Sequence, residues 1–152
     1  MKVALGCDHA GFILKDVVAE FLAQAGHEVL DEGTFSDESC DWPEFGERVA
    51  RLVASGEAER GIAICGTGIG MAMTANKLPG VRAAVCNDLY TARYSRLHND
   101  ANVLTMGARV IGPGVAEEIV RIWMDTPCEG ERHSRRLDKL TEIERRYGGK
   151  DA

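Results

Sequence analysis

The stretch Cys65-Gly66-Thr67-Gly68-Ile69-Gly70-Met71 decides the fold of this chain. The apolar run 61–64 in front of it predicts a buried strand, and the helix-forming residues 71–77 behind it predict a helix. Three glycines in between allow positive φ angles and let the backbone N–H groups turn inward. With the N–H groups at the start of the helix, they are expected to form a pocket for negative charge, edged by the thiol of Cys65 and the hydroxyl of Thr67.

The same alternation of strand and helix runs along the whole chain. Strands are expected at 2–7, 27–31, 61–64, 82–86 and 102–106, and helices at 12–25, 43–55, 71–77, 89–97, 113–124 and 132–147. Such alternation is typical of parallel strands with helices packed on both faces. We therefore expect one α/β domain over residues 1–152, a three-layer, doubly wound, Rossmann-like parallel sheet of about five strands. Ligands bind such sheets beyond the carboxyl ends of the strands.

The first helix is predicted to bury an apolar face and to leave its charged residues in solvent. The apolar face consists of Phe12, Val17, Phe21 and Leu22. The charged residues expected in solvent are Lys15, Asp16 and Glu20.

The composition of the 152-residue chain argues against several classes of protein. A net charge of −6 disfavours general affinity for nucleic acid or anionic membranes, and no apolar run approaches the roughly 20 residues of a membrane span. The five cysteines include no CxxC pair, which favours reduced thiols over disulfides or a zinc site. No signal peptide is recognisable. We expect a cytoplasmic protein with neither nucleic acid nor membrane as a partner.

A nucleotide-binding site is a poor fit to the glycine motifs. Residues 6–11 carry the outer glycines of GxGxxG, and Asp31 lies at the spacing of a ribose-binding carboxylate. However, Asp8 stands where a pyrophosphate would have to approach. The second motif, Gly66 to Gly70, is not followed by the Gly-Lys-Ser/Thr of a P-loop.

Two polar segments remain as candidate functional sites. His98 lies in the polar turn 96–102, where a histidine could also simply cap a helix. Arg132 and Arg136 are four residues apart, so they share one helix face, where a bound anion would offset their repulsion. The alternative for this pair is an ordinary solvated face.

These segments together resemble the type B ribose-5-phosphate isomerases, the family that also contains the galactose-6-phosphate isomerase subunits. The resemblance covers nearly the whole chain in the family's order and spacing. The matching segments are Gly6-Cys7-Asp8-His9-Ala10-Gly11, Asp31-Glu32-Gly33-Thr34, Cys65-Gly66-Thr67-Gly68-Ile69-Gly70, Asn76-Lys77, Ser95-Arg96-Leu97-His98-Asn99-Asp100-Ala101-Asn102-Val103-Leu104, Gly107-Ala108-Arg109 and Arg132-His133.

The resemblance implies an aldose–ketose isomerase that interconverts ribose 5-phosphate and ribulose 5-phosphate without a metal or cofactor. It makes Cys65 the base that moves a proton between carbons 1 and 2. His98 becomes the proton donor and, with Asp8, helps to open the furanose ring. The enediolate oxygens would be held by the backbone of Gly66, Thr67, Gly68, Ile69 and Gly70, with the Thr67 side chain beside them.

The remaining roles concern the far end of the sugar phosphate. The resemblance assigns substrate contacts to Asn99 and Arg109, and the phosphate to His9, Arg132 and Arg136. It also implies a homodimer, or a tetramer, with active sites at the subunit interface. On this resemblance we expect Cys65 and His98 of one site to come from different chains.

Two alternatives stay open at this point. The same chemistry could act on an allose, galactose or erythrulose phosphate, and Trp42 stands where many relatives have tyrosine. The chain could instead be a non-catalytic sugar-phosphate-binding subunit. The intact set of Asp8, Cys65, Thr67 and His98 argues against that second alternative.

Overall fold

Five strands and six helices alternate along the chain in the computed structural model. The structure describes residues 1–148, apart from the side chains of Glu131 and Arg132, so the predicted role of the Arg132 side chain lies outside the described residues. The strands are β1 (Lys2–Cys7), β2 (Glu28–Asp31), β3 (Arg60–Cys65), β4 (Ala83–Val85) and β5 (Val103–Gly107). The helices are α1 (Phe12–Gln24), α2 (Trp42–Ser55), α3 (Ile69–Ala75), α4 (Leu89–Leu97), α5 (Pro113–Asp125) and α6 (Gly130–Tyr147).

All neighbouring strands pair in parallel, in the order β2-β1-β3-β5-β4. The chain leaves β1 toward β2 on one side and returns to place β3 on the other, so the strand order reverses between β1 and β3. Cys7 pairs with Ile64 in the register of these two strands. The segments that follow β1 and β3 therefore emerge side by side at the carboxyl edge of the sheet, where such folds bind ligands.

The core lies in two layers, one on each face of the sheet. Because side chains alternate along a strand, Leu5 and Ile62 pack toward α1 and α5, whereas Ala4 and Ala63 pack toward α2 and α3. The residues facing α2 and α3 are small, and a methyl group built on Gly61 would lie 2.7 Å from Val49. The prediction of a three-layer, doubly wound α/β sheet with about five strands is confirmed.

The prediction that Lys15 faces solvent is wrong. Its side chain is only 2% exposed, and Nζ donates to both carboxylate oxygens of Asp31 at 3.0 and 2.7 Å. The ammonium group also lies 4.1 Å from the centre of the Phe35 ring. Helical periodicity missed this burial because both partners lie outside α1, Asp31 at the end of β2 and Phe35 in the loop that follows.

Two helix starts differ from the prediction, each by two residues. Helix α3 begins at Ile69 rather than Met71, which places Gly70 inside its first turn. Helix α6 begins at Gly130 rather than Arg132. Within residues 1–148, no helix has the length and apolar character that crossing a membrane requires.

Candidate active site

The turn after β3 directs a backbone N–H group at a thiol. Gly68 has a φ of +84°, which strongly favours glycine, and its N–H group donates to Cys65 Sγ at 3.1 Å. A side chain on Gly68 would also meet the backbone of Met106 at 3.0 Å. Cys65 is only 5% exposed, and Thr67 Oγ1 accepts the N–H group of Ile69 at 3.3 Å. The turn therefore presents a backbone N–H group to a buried sulfur.

The turn after β1 lies directly beside this thiol-bearing turn. The N–H group of Asp8 donates to the carbonyl of Ile64, the residue before Cys65, at 3.1 Å. Asp8 itself is buried, and its Oδ1 accepts the N–H group of Gly11 at 2.9 Å. The next residue, His9, is half-buried, and its Nδ1 accepts the N–H group of Cys40 at 3.2 Å.

The turns after β5 and β4 complete this edge. Arg109 donates its N–H group to the carbonyl of Gly66 at 3.1 Å, and its side chain passes the Gly66 backbone, since a methyl group built there would lie 3.4 Å from Arg109 Cδ. Asn87 ties the same turn to β5: its Nδ2 donates to the carbonyl of Thr67 at 3.1 Å, and its Oδ1 accepts the N–H group of Gly107 at 2.8 Å.

Trp42 borders the same turn from α2. A methyl group built on Gly70 would lie 3.0 Å from the indole ring, so the ring packs closely on the first turn of α3. The side chain is 39% exposed. It therefore presents an aromatic surface to solvent next to the glycine turn.

A second cluster of predicted site residues surrounds a separate cavity of about 360 Å³. His98 is the C-terminal cap of α4, and its ring stacks on His133 with centroids 4.3 Å apart and an interplanar angle of 13°. Asn99 and Arg136 line the same cavity. The helix-cap interpretation of His98 and the polar-cluster interpretation both hold.

Ion pairs fix the turn that carries His98 and Asn99. Asp100 has a φ of +45°, and its carboxylate oxygens accept from Arg96 Nη1 and Arg82 Nη2, each at 2.8 Å. The buried Arg96 also donates to the carbonyl of Ala101. These charge-assisted hydrogen bonds stabilise the backbone conformation of the turn.

The two clusters lie at opposite edges of the sheet. Cys65 ends β3, whereas α4 runs back from the end of β4 to the start of β5, so His98 lies where strands begin. Two backbone hydrogen bonds of Asn102 mark that edge. Its N–H group donates to the carbonyl of Arg82, and its carbonyl accepts the N–H group of Gly61. From the ~3.3 Å rise per residue of a strand, β3 alone spans about 16 Å. The structure therefore groups Asp8, His9, residues 65–70 and Arg109 at one edge, and His98, Asn99 and Arg136 at the other.

His98, Glu129 and His133 form a group whose ligand atoms lie within 4.8 Å of one another. Glu129 Oε2 is 3.9 Å from His98 Nε2 and 3.7 Å from His133 Nε2. A zinc ion needs nitrogen ligands about 2.0–2.1 Å away, with each lone pair directed at the ion. Nearly parallel stacked rings direct their lone pairs side by side instead, so this arrangement does not suit zinc.

Sequence reasoning missed Glu129, gave His133 little weight and assigned no role to Asn87. Asn87 was nevertheless expected at the ligand-binding edge, because it lies two residues after β4. His133 lies beside Arg132 in one of the matching segments, which was its only signal. Glu129 had none, since its proximity to His98 depends on how α6 packs against α4.

Residues 3–140 match the Ribose/Galactose Isomerase family. The chain belongs to this family. Its relatives include "Ribose-5-phosphate isomerase B" of Escherichia coli (strain K12), 49% identical over 95% of this chain and 97% of that protein. The "Galactose-6-phosphate isomerase subunit LacB" of Clostridium acetobutylicum is 37% identical over 91% of this chain and 80% of that protein.

A solved structure shares the fold of this ribose/galactose isomerase family member closely. The Clostridium thermocellum ribose-5-phosphate isomerase B superposes with a TM-score of 0.95 at 52% identity, covering 97% of this chain and 99% of that one. The family thus contains enzymes that differ in sugar while sharing the fold, and the chain is an isomerase of this family.

Proposed function

We propose that residues 1–152 form a single sugar-phosphate isomerase domain that interconverts D-ribose 5-phosphate and D-ribulose 5-phosphate through an enediolate. The observation that carries the proposal is the buried Cys65 thiol, whose sulfur accepts the Gly68 N–H group at the switch point of the sheet. Proton removal next to a carbonyl requires a base beside aimed N–H donors, and this turn supplies both. The 43–49% identity to named relatives of that activity supports the choice of sugar.

In the proposed reaction, His98 and Asp8 open the furanose ring by moving a proton to the ring oxygen and removing one from the hydroxyl of carbon 1. The Cys65 thiolate then takes the proton from carbon 2 of the open aldose. The negative charge passes to the carbonyl oxygen, held by N–H groups of residues 66–70 and by the Thr67 hydroxyl. The proton of the carbon-2 hydroxyl then passes to the oxygen on carbon 1, which moves the negative charge to the oxygen on carbon 2. Returning the carbon-bound proton from Cys65 to carbon 1 leaves a carbonyl at carbon 2, which is the ketose, so the thiolate is regenerated and no electron acceptor is needed.

Binding of the phosphate is assigned to His9, Arg132 and Arg136, with Asn99 and Arg109 contacting the sugar. A guanidinium group can donate two parallel hydrogen bonds to the oxygens of one phosphate, and the resulting binding energy orients the reacting carbons. His9 lies at the Cys65 edge, whereas Arg136 lies beside His98. One substrate that reaches all of these groups requires the two edges to meet.

We propose that they meet between two chains of a homodimer, with a tetramer as the alternative. Opposite edges of one sheet cannot close on one small sugar, but a second copy can bring its His98 edge to the first copy's Cys65 edge. Exposed apolar residues support such pairing, because Leu140, Ile143 and Tyr147 follow one another along one face of α6. They border a cavity of about 810 Å³ between α6 and residues 76–84.

A substrate panel on the purified chain tests the activity. Ribose 5-phosphate should give the highest kcat/KM among ribose 5-phosphate, allose 6-phosphate, galactose 6-phosphate and erythrulose 4-phosphate. A higher kcat/KM for another sugar phosphate would support the same isomerase chemistry with that sugar as the substrate. No turnover of any of them by the chain alone would support the non-catalytic subunit instead.

Mixing two damaged chains tests the shared site. Cys65→Ala and His98→Ala should each be nearly inactive. When they are unfolded and refolded together, half of the dimers are mixed, and each mixed dimer has one intact site out of two if the residues come from different chains. About a quarter of wild-type activity should return. A mixture that stays inactive despite demonstrated subunit exchange would place both residues in one chain.

The cellular setting follows from the same proposal. Interconversion of these two pentose phosphates belongs to the pentose phosphate pathway, and free cysteines fit a reducing cytoplasm. Fractionation of cells with an antibody to the chain would test the location.

A further inference from the structure

The loop of residues 32–41, between β2 and α2, is anchored to the end of β1. Asp31 holds its first residues, since Oδ1 accepts the N–H group of Gly33 at 2.9 Å while both carboxylate oxygens accept from the buried Lys15. Cys7 and Thr34 are joined by a backbone bond of 2.7 Å, and Cys7 also donates its N–H group to the carbonyl of Gly33. The start of the loop therefore has a fixed position relative to the turn that carries His9.

The far end of the loop contacts His9 itself. The N–H group of Cys40 donates to His9 Nδ1 at 3.2 Å. Cys40 packs against the core layer between the sheet and α2, so its backbone is held in place. A ring nitrogen that accepts an N–H group carries no proton, and a neutral imidazole then has its proton on Nε2.

We propose that Cys40 is a positioning residue whose backbone N–H group fixes His9 as the Nε2–H tautomer, so that Nε2 donates to the phosphate of the substrate. The inference rests on the proposed function, because the phosphate role of His9 belongs to it. The opposite tautomer would turn a lone pair toward the phosphate oxygens and repel them. The loop that contains Cys40 thus selects the useful tautomer before the substrate binds, which lowers the cost of binding.

The tautomer can be measured directly in the wild-type protein. Long-range ¹H–¹⁵N spectra of protein labelled in its histidines, recorded at about pH 8 where an ordinary imidazole is neutral, distinguish the protonated ring nitrogen. His9→Gln identifies the His9 signals by their absence. His9 should carry its proton on Nε2 and show an unprotonated Nδ1. A proton on Nδ1, or an even mixture of tautomers, would overturn the inference whether or not the chain is an isomerase.

A pair of variants separates the backbone from the thiol. Cys40→Pro removes the N–H donor, whereas Cys40→Ala retains it and removes only the sulfur. In Cys40→Ala the His9 spectrum should keep the wild-type tautomer, and in Cys40→Pro it should become mixed. Relative to Cys40→Ala, Cys40→Pro should raise the KM for ribose 5-phosphate about 2- to 13-fold with little change in kcat, the effect of one hydrogen bond on ground-state and transition-state binding alike.

Several results would contradict the positioning role. One is an unchanged KM in a folded Cys40→Pro protein, and another is a loss of the Nε2–H tautomer in Cys40→Ala. If Cys40→Pro does not fold, the wild-type spectrum still decides the assignment. Inorganic phosphate provides a readout independent of turnover, because it should bind Cys40→Pro more weakly than Cys40→Ala by a similar factor.

Discussion

The turns after β1 and β3 both begin with a cysteine but differ in the group that accepts their backbone N–H hydrogen bonds. Each starts with a buried cysteine at the end of a central parallel strand. After Cys7, the carboxylate of Asp8 takes up the N–H group of Gly11. After Cys65, residues 66–70 contain no acid, and the N–H group of Gly68 is donated to the sulfur. In the β1 turn a carboxylate thus accepts a backbone N–H group, whereas in the β3 turn the thiol sulfur accepts one.

The two cysteine thiols also differ in their surroundings. Burial raises the pKa of Cys7 to about 12, despite the opposing effect of the nearby Lys15. A backbone hydrogen bond with Thr34 also opposes this rise, so burial is the cause of the raised pKa. The same residue type at the same edge of one sheet thus has a raised thiol pKa in one turn and accepts a backbone N–H group in the other. We expect only the second thiol, Cys65, to take part in chemistry.

The largest expected effect comes from exchanging the two thiols for inert groups. Cys65→Ser should fold and lose roughly 10²–10⁴ in kcat, because serine is too weak a base for proton transfer. Cys7→Ala, the matched change in the other turn, should keep kcat close to wild type. Steady-state kinetics on both proteins make the measurement. Equal losses in the two variants would remove the functional distinction between the turns.

Alkylation compares the same two thiols without any substrate. At about pH 8, a thiol with a pKa of about 12 is ionised to roughly one part in 10⁴, so Cys7 should react very slowly with iodoacetamide. Cys65, whose sulfur accepts the N–H group of Gly68, should react faster than Cys7. Peptide mass spectrometry over time gives both rates in one sample. Similar alkylation rates would show that the two thiols do not differ in reactivity.

A stability measurement tests how the β1 turn is held. Lys15→Met should lower the free energy of unfolding by about 1.5–3 kcal/mol, because it removes charged hydrogen bonds from Asp31 in a largely buried setting. Lys2→Met removes another ion pair between β1 and β2, at 3.7 Å from Glu28 and well exposed. That control should change stability by less than about 0.5 kcal/mol. Urea unfolding measures both changes. Equal losses in the free energy of unfolding would show that the buried ion pair contributes no more than the exposed one.

The smallest effect concerns the turn after β4, which uses a carboxylate as the β1 turn does. Asp88 caps α4 by accepting the N–H group of Thr91 at 2.7 Å, and this hydrogen bond lowers the pKa of Asp88. Asp88→Ala should cost about 1 kcal/mol at neutral pH. A depressed native pKa contributes stability above the unfolded value of about 3.9, and that contribution is lost as the pH falls through the lower native pKa.

Asp88→Asn provides the control, because asparagine caps a helix without titrating. Its difference from Asp88→Ala should stay constant across the acid range, whereas the wild-type difference should shrink. Unfolding curves between about pH 2 and pH 7 cover the transition. A wild-type advantage that stays unchanged at the acid end would show that the Asp88 carboxylate contributes nothing through its charge.

The fold could be predicted from the sequence because each βα unit is recognisable from residues that are close together in the chain. Apolar runs, glycine turns and helix-forming segments are short-range signals, and parallel pairing follows from their alternation. Asp8, Cys65 and Arg109 were placed at one edge by the same rule, since each follows a strand. Lys15 was misplaced because its partners, Asp31 and Phe35, are distant in sequence and invisible to helical periodicity.

The remaining part of the site depended on packing between elements. The sequence marked His98 as part of a polar turn, but its stacking on His133 follows from how α6 lies against the end of α4. The bond from Cys40 to His9 depends on the path of a ten-residue loop, which no periodic pattern specifies. Such contacts arise from tertiary structure, so they become visible only once the elements are assembled.

The separation of Cys65 and His98 by the length of the sheet has a consequence for mass action. On the shared-site proposal, a lone chain carries two half-sites and no whole one, so catalysis begins only when chains pair. Below the dissociation constant of the dimer, the initial rate would rise with the square of the chain concentration, and activity per milligram would fall on dilution. A small molecule that binds α6 and blocks pairing would then inhibit the enzyme without touching the sugar site.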